Sequence, residues 1–128
     1  MAFTYTPEWN ITAASGRTAK SKAYSGSQIV ELDESVADSQ TDSQINVAID
    51  VSAVKTFYVV SDQNVTLETN SGSTPADTIA LKADVPYVWT TDSYDSFLLG
   101  TDVTAIFITN ASGSTAAITL RALIDATP

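Results

Sequence analysis

The stretch that decides the fold runs from Asp102 to Asp125. It reads Asp102-Val103-Thr104-Ala105-Ile106-Phe107-Ile108-Thr109-Asn110, then Ala111-Ser112-Gly113-Ser114, then Thr115-Ala116-Ala117-Ile118-Thr119-Leu120-Arg121-Ala122-Leu123-Ile124-Asp125. Two apolar runs flank a loop of small residues carrying one Gly, which predicts a β-hairpin. In the first run both faces are apolar. Val103, Ala105 and Phe107 lie on one, Ile106 and Ile108 on the other. A strand buried on both faces reads this way, so it is expected at the centre of a sheet. Arg121 is the single charge inside either run.

The rest of the chain has the same texture. Ile45, Val47, Ile49 and Val51 alternate with Asn46, Ala48, Asp50 and Ser52, a strand with one face on a core. Val54 to Val60 is apolar on both faces and predicts a second central strand. With Val65-Thr66-Leu67-Glu68-Thr69 it predicts a second hairpin, Lys55 to Thr69. Residues 70–77 are a loop by composition, and 78–82 a short strand. Pro86 lacks a backbone donor, so Val85 to Trp89 is expected at an edge or at a strand start. In 28–38, Val30, Leu32 and Val36 alternate with acidic residues. Ile29, Leu32 and Val36 also fit helical spacing, but the Ser, Thr and Asp content favours a strand. The count comes to about eight to ten short strands with no convincing helix. The expected fold is all-β: a two-sheet antiparallel β-sandwich over residues 28–125, jelly-roll-like or immunoglobulin-like. Residues 1–27, with scattered aromatics among small polar residues, are expected to form an extended N-terminal arm.

Composition removes whole classes of function. The 128 residues suit one domain. There is no Cys and no His, which excludes thiol nucleophiles, imidazole bases, disulfides and thiolate metal sites. No glycine-rich phosphate loop or nucleophile elbow occurs, so no enzyme and no cofactor are expected. Calcium is the one metal whose ligands are abundant: Asp33, Glu34, Asp38 and Asp42 in one region, Asp92, Asp95 and Asp102 in another. Neither group has calcium-loop spacing, and turn-forming carboxylates are the simpler reading, so no metal is expected. Fifteen acidic residues against six basic ones give a formal charge of −9, which disfavours nucleic acid. No apolar run approaches the ~20 residues of a membrane helix, and residues 1–8 have no signal-peptide character, so neither membrane nor secretion is expected.

Few residues stand out as sites. Arg17, Lys20 and Lys22 form the one basic cluster, and with Trp9 they make the arm a candidate for docking on an acidic neighbour, a second copy included. Arg121 is expected to snorkel to the sheet rim, to pair with a nearby Asp, or to reach across a subunit interface. Tyr87, Trp89 and Tyr94, with Asp92 and Asp95, are candidate ligand-facing groups for a sugar. Trp89 in the core with Tyr87 at its rim is the competing expectation. Three Asn-x-Ser/Thr triplets, at Asn10, Asn64 and Asn110, occur in so Ser/Thr-rich a chain by chance.

Several segments carry a family resemblance. They are Asp50 to Lys55, Ser61 to Asn70, Leu81 to Trp89, Ile108 to Gly113 and Arg121 to Asp125. Together they resemble small all-β structural proteins of tailed-bacteriophage virions, over roughly residues 28–125. The resemblance implies a non-enzymatic virion protein, a capsid decoration or cement subunit that binds and stabilises the shell. It implies a homotrimer seated on the major capsid protein at the capsid surface, folded in the host cytoplasm. Neck or tail subunits share the style. A carbohydrate-binding β-sandwich on a host-attachment structure is the alternative. The resemblance transfers no site residues.

Overall fold

Among the described residues, alternating polar and apolar side chains build twelve strands, with one short 3₁₀ turn at Val51–Ala53. The structure is a computed structural model that describes residues 2–125. Eight strands form the sandwich: β5 (Gln28–Val36), β6 (Gln40–Ile49), β7 (Val54–Ser61), β8 (Val65–Thr69), β9 (Thr78–Leu81), β10 (Tyr87–Thr90), β11 (Val103–Asn110) and β12 (Ala116–Ile124). They fall into two four-stranded antiparallel sheets, ordered β10-β7-β12-β5 and β6-β11-β8-β9. β7, β12, β11 and β8 are the central strands, and β10 is an edge strand that starts just after Pro86.

The ladders reveal how the chain gets there. β5 pairs with β12, β6 with β11, β7 with β10 and β8 with β9, all antiparallel. The chain is therefore one long ribbon folded at residues 70–77 and rolled so that its two arms change sheets together. That is the jelly-roll order, which decides between the two sandwiches expected. It also corrects the two hairpins. β11 and β12 lie in different sheets, as do β7 and β8. Residues 111–115 and 62–64 are arches between sheets. A hairpin and an arch share one local pattern, apolar runs around a small polar loop, and only long-range pairing separates them.

The arches break the ladder, and side chains replace the lost bonds. Asn110 is fully buried. Its Nδ2 donates to Val36 O at 3.0 Å and to Ser114 O at 2.8 Å, and its Oδ1 accepts from Ser112 N at 3.1 Å. The Asn110 main-chain carbonyl accepts from Ser39 N at 2.8 Å. At the next corner Asp102 Oδ1 accepts from Val51 N at 2.9 Å, and at the third Asn64 Oδ1 accepts from Ala83 N at 2.8 Å. Between the sheets lies a core of buried aliphatics around Phe57, with Leu67, Ile106, Ile108, Ile118 and Leu120 each at 1% exposure or less.

Residues 1–27, as far as they are described, form two pieces. β1 (Phe3–Tyr5) and β4 (Tyr24–Gly26) pair with each other. This pair lies over the outer face of the β12 sheet, which is why outward-facing Leu123 and Thr56 are buried. Contact is close at Gly26, where a Cβ would sit 2.6 Å from Ile124 O and 3.0 Å from the Leu123 side chain, so only glycine fits. Between them β2 (Glu8–Ala13) and β3 (Gly16–Ser21) form a ribbon in which every residue is exposed. Its ends meet where Lys22 N donates to Pro7 O at 3.3 Å.

Asn110→Ala strands buried carbonyls and is expected to cost about 1–3 kcal/mol by urea denaturation. Replacing residues 8–21 by a short Gly-Ser link should leave the denaturation midpoint nearly unchanged, whereas deleting residues 1–25 uncovers Leu123 and should lower it. Equal midpoints for the two deletions would show that β1 and β4 contribute nothing.

Candidate functional site

β10 is four residues long and carries aromatics at every second position. Tyr87 and Trp89 therefore share the inner face at an edge of the sandwich, and both are half-buried. The loop after β10 folds back and inserts Phe97 beneath them. Trp89 and Phe97 stack with centroids 4.5 Å apart and planes 16° apart, and Phe97 meets Phe57 at 5.2 Å. Trp89 Nε1 donates to Asp95 O at 3.0 Å, and Tyr87 Oη accepts from Leu98 N at 3.0 Å. Both rings thus do double duty, packing on the core and facing outward.

The turn at 90–93 is tight. Ser93 N donates to Thr90 O at 2.9 Å, while Thr90 N donates to Ser93 Oγ at 2.8 Å. This presents Tyr94 fully in solvent. The turn is also tied to the N-terminal segment. Lys22 Nζ meets Asp92 Oδ2 at 2.7 Å, and the Tyr24 hydroxyl donates to the same oxygen at 2.8 Å. The Lys22 hydrogen bond, then that from Tyr24, lowers the Asp92 pKa, and Lys22 is raised in turn, chiefly by its bond to Asp92.

These ties swing the ribbon's base toward β10. Trp9, 45% exposed, joins Tyr87, Trp89, Tyr94, Asp92 and Asp95 around a cleft of about 490 Å³. The structure thus brings Trp9, expected as a docking residue of the arm, together with the three aromatics expected to face a ligand. Nothing in the local pattern signals this, because Trp9 and Trp89 belong to strands that share no ladder. Of the basic cluster, Lys22 sits in the ion pair just described, whereas Arg17 and Lys20 project on the ribbon.

Arg121 lies on the outer face and pairs within the chain. Its Nε meets Glu31 Oε2 at 3.1 Å and its Nη2 meets Asp33 Oδ2 at 3.0 Å, both on neighbouring β5. Its Nη1 donates to Leu120 O at 2.8 Å. The Asp33 hydrogen bond leads the causes that raise its pKa. A second groove, of about 340 Å³, runs beside it past Tyr5, whose hydroxyl is buried with no hydrogen-bond partner among the described residues. Burial, ahead of the Glu31 charge, pushes that phenol up.

Most of the carboxylates considered for calcium serve other ends. Asp38 accepts from Gly113 N at 2.8 Å, Asp42 accepts from the Thr109 hydroxyl at 3.2 Å, Asp33 holds Arg121 and Asp102 holds Val51 N. Among the described residues no group of three or more acidic side chains could hold a metal ion. No family model matches the chain, and neither a curated protein nor a solved structure matches it significantly.

Titration of Asp92 has a definite sign. Its folded pKa lies below the ordinary value of about 4, so its contribution is full above that value and is lost as pH falls through the folded one. Asp92→Asn is therefore expected to lower the melting temperature more at pH 7 than at pH 2. An equal loss at both values would mean that the Lys22 and Tyr24 bonds do not depend on the charge.

Proposed function

We propose that this chain is a non-enzymatic virion structural subunit, a capsid decoration or cement protein that assembles as a homotrimer on the major capsid protein. The observation that carries the reading is the β2–β3 ribbon. Every residue of it is exposed, Ile11 by 68%. A two-stranded ribbon alone is marginal in water, and an exposed Ile at its middle gains stability only by meeting another surface. The ribbon is anchored at its base and free at its tip, as a reach-over contact requires. It carries Arg17 and Lys20 in a chain of net charge −9, so the acidic surface of a neighbour is its natural complement.

Other features support the same reading. The sandwich offers a rigid platform whose polar surface is Ser, Thr and carboxylate. The resemblance of residues 28–125 to small tailed-phage virion proteins points the same way, and the jelly roll is a frequent capsid architecture.

Light scattering and cosedimentation with capsid shells of its phage test the proposal together. The full chain is expected to run as a trimer and to pellet with shells. Ile11→Asp combined with Arg17→Glu, both on exposed ribbon positions, should weaken pelleting at least tenfold without moving the thermal midpoint. A double variant that binds shells as well as the parent chain would sink the ribbon's role, and a parent chain that stays in the supernatant would sink the decoration reading.

A further inference from the structure

We propose that the cleft between the ribbon base and β10 is a binding site for a neutral saccharide. The site is separate from the assembly role of the ribbon tip. Its volume of about 490 Å³ lies within the ordinary range of small-ligand pockets. Its walls combine the two chemistries a sugar needs. Aromatic ring faces receive the apolar C–H face of a pyranose, and carboxylate or hydroxyl oxygens accept from its hydroxyl groups.

The aromatic platform is preorganised. Trp89 is fixed by its stack on Phe97 and its bond to Asp95 O, and Tyr87 by the bond from Leu98 N. Tyr94 stands wholly in solvent on a turn braced by Thr90 and Ser93, so a large ring is held outward with none of the described residues covering it. Trp9 lines the cleft with them. The acceptors are in place too. Lys22 and Tyr24 both bond Asp92 through Oδ2, which leaves Oδ1 to accept, and Asp95 lines the same cleft. Because β10 is an edge strand, alternate backbone groups point away from its sheet and toward this side.

Charge selects the class of ligand. Among the described residues no basic side chain lines the cleft, and the Asp92 and Asp95 carboxylates oppose an acidic sugar or a phosphate. A cation is the other ligand that aromatic rings and carboxylates accept. Lys22 already neutralises Asp92, which leaves Asp95 as the unmatched charge and tips the site toward a neutral, hydroxyl-rich partner.

Both tryptophans of the chain, Trp9 and Trp89, line the cleft, so its occupancy is read directly in intrinsic emission. Maltotriose, cellotriose and mannotriose are titrated into the full chain at millimolar concentration, with tetramethylammonium as the cationic probe. At least one trisaccharide is expected to shift the emission saturably. Tyr94→Ala, at a fully exposed position that keeps both tryptophans, should weaken that binding about tenfold, the worth of one aromatic contact. Asp95→Asn should weaken it as well. Three outcomes overturn the site: no shift with any trisaccharide, a shift with tetramethylammonium alone, or saccharide binding indifferent to both variants. None of these variants touches Ile11 or Arg17, so failure here leaves the assembly reading standing.

Discussion

A ribbon that rolls into two sheets must leave one sheet and enter the other, and its backbone loses ladder bonds at each crossing. Buried backbone polar groups left unpaired cost a large part of a domain's net stability. The fold therefore depends on what fills the corners. Asn110 does so most completely, with its side-chain amide joined to both arms of the ribbon while fully buried. Asn is suited to this because one short side chain both donates and accepts. Asp102 and Asn64 do the same work at the other corners with a single acceptor. Asn70, in the left-handed region at φ 68°, receives Thr104 N at the ribbon's fold.

The same constraint explains much of the acidity. Asp38, Asp62 and Asp77 each accept from a backbone N–H, of Gly113, Ala117 and Gly100. Carboxylates at corners accept without needing a proton donor of their own, and their charge keeps the surface soluble. The consequence is a chain in which cations are scarce and placed. Arg121 is held between Glu31 and Asp33, and Lys22 by Asp92. Arg17 and Lys20 sit exposed on the ribbon.

Strand content was legible because the period of two is local. Ile45, Val47 and Ile49 turn inward with Asn46 and Ala48 exposed, and the doubly apolar Val103–Ile108 run lies centrally between β6 and β8. Sheet membership was not legible. Residues 111–115 read as a hairpin loop, and only the pairing of Ile118 with Glu34 and Ser61, rather than with β11, makes them an arch. The site divides the same way. Tyr87, Trp89 and Tyr94 announce themselves by type and spacing on one strand and its loop. The approach of Trp9 rests on β4 lying over Leu123, on the glycine that lets it lie there, and on an ion pair between Lys22 and Asp92. No window of sequence contains both partners of any of these contacts.

One segment thus has two mechanical regimes. Its base is fixed: Gly26 against Ile124, Tyr24 buried beneath the turn, Lys22 on Asp92. Its tip is exposed on both strands. Trp9 stands on the fixed side of that boundary and Ile11 beyond it, on the same ribbon face, because residues two apart on a strand point the same way. A partner that takes the tip can therefore grip Ile11 while the cleft around Trp9 keeps its shape. The base is held by an exposed ion pair, which salt screens, and by the Tyr24 hydroxyl, which salt does not. Rising ionic strength thus weakens the charged part of the clamp first and leaves the buried seam of β4 on β12 as the hinge about which the ribbon is held.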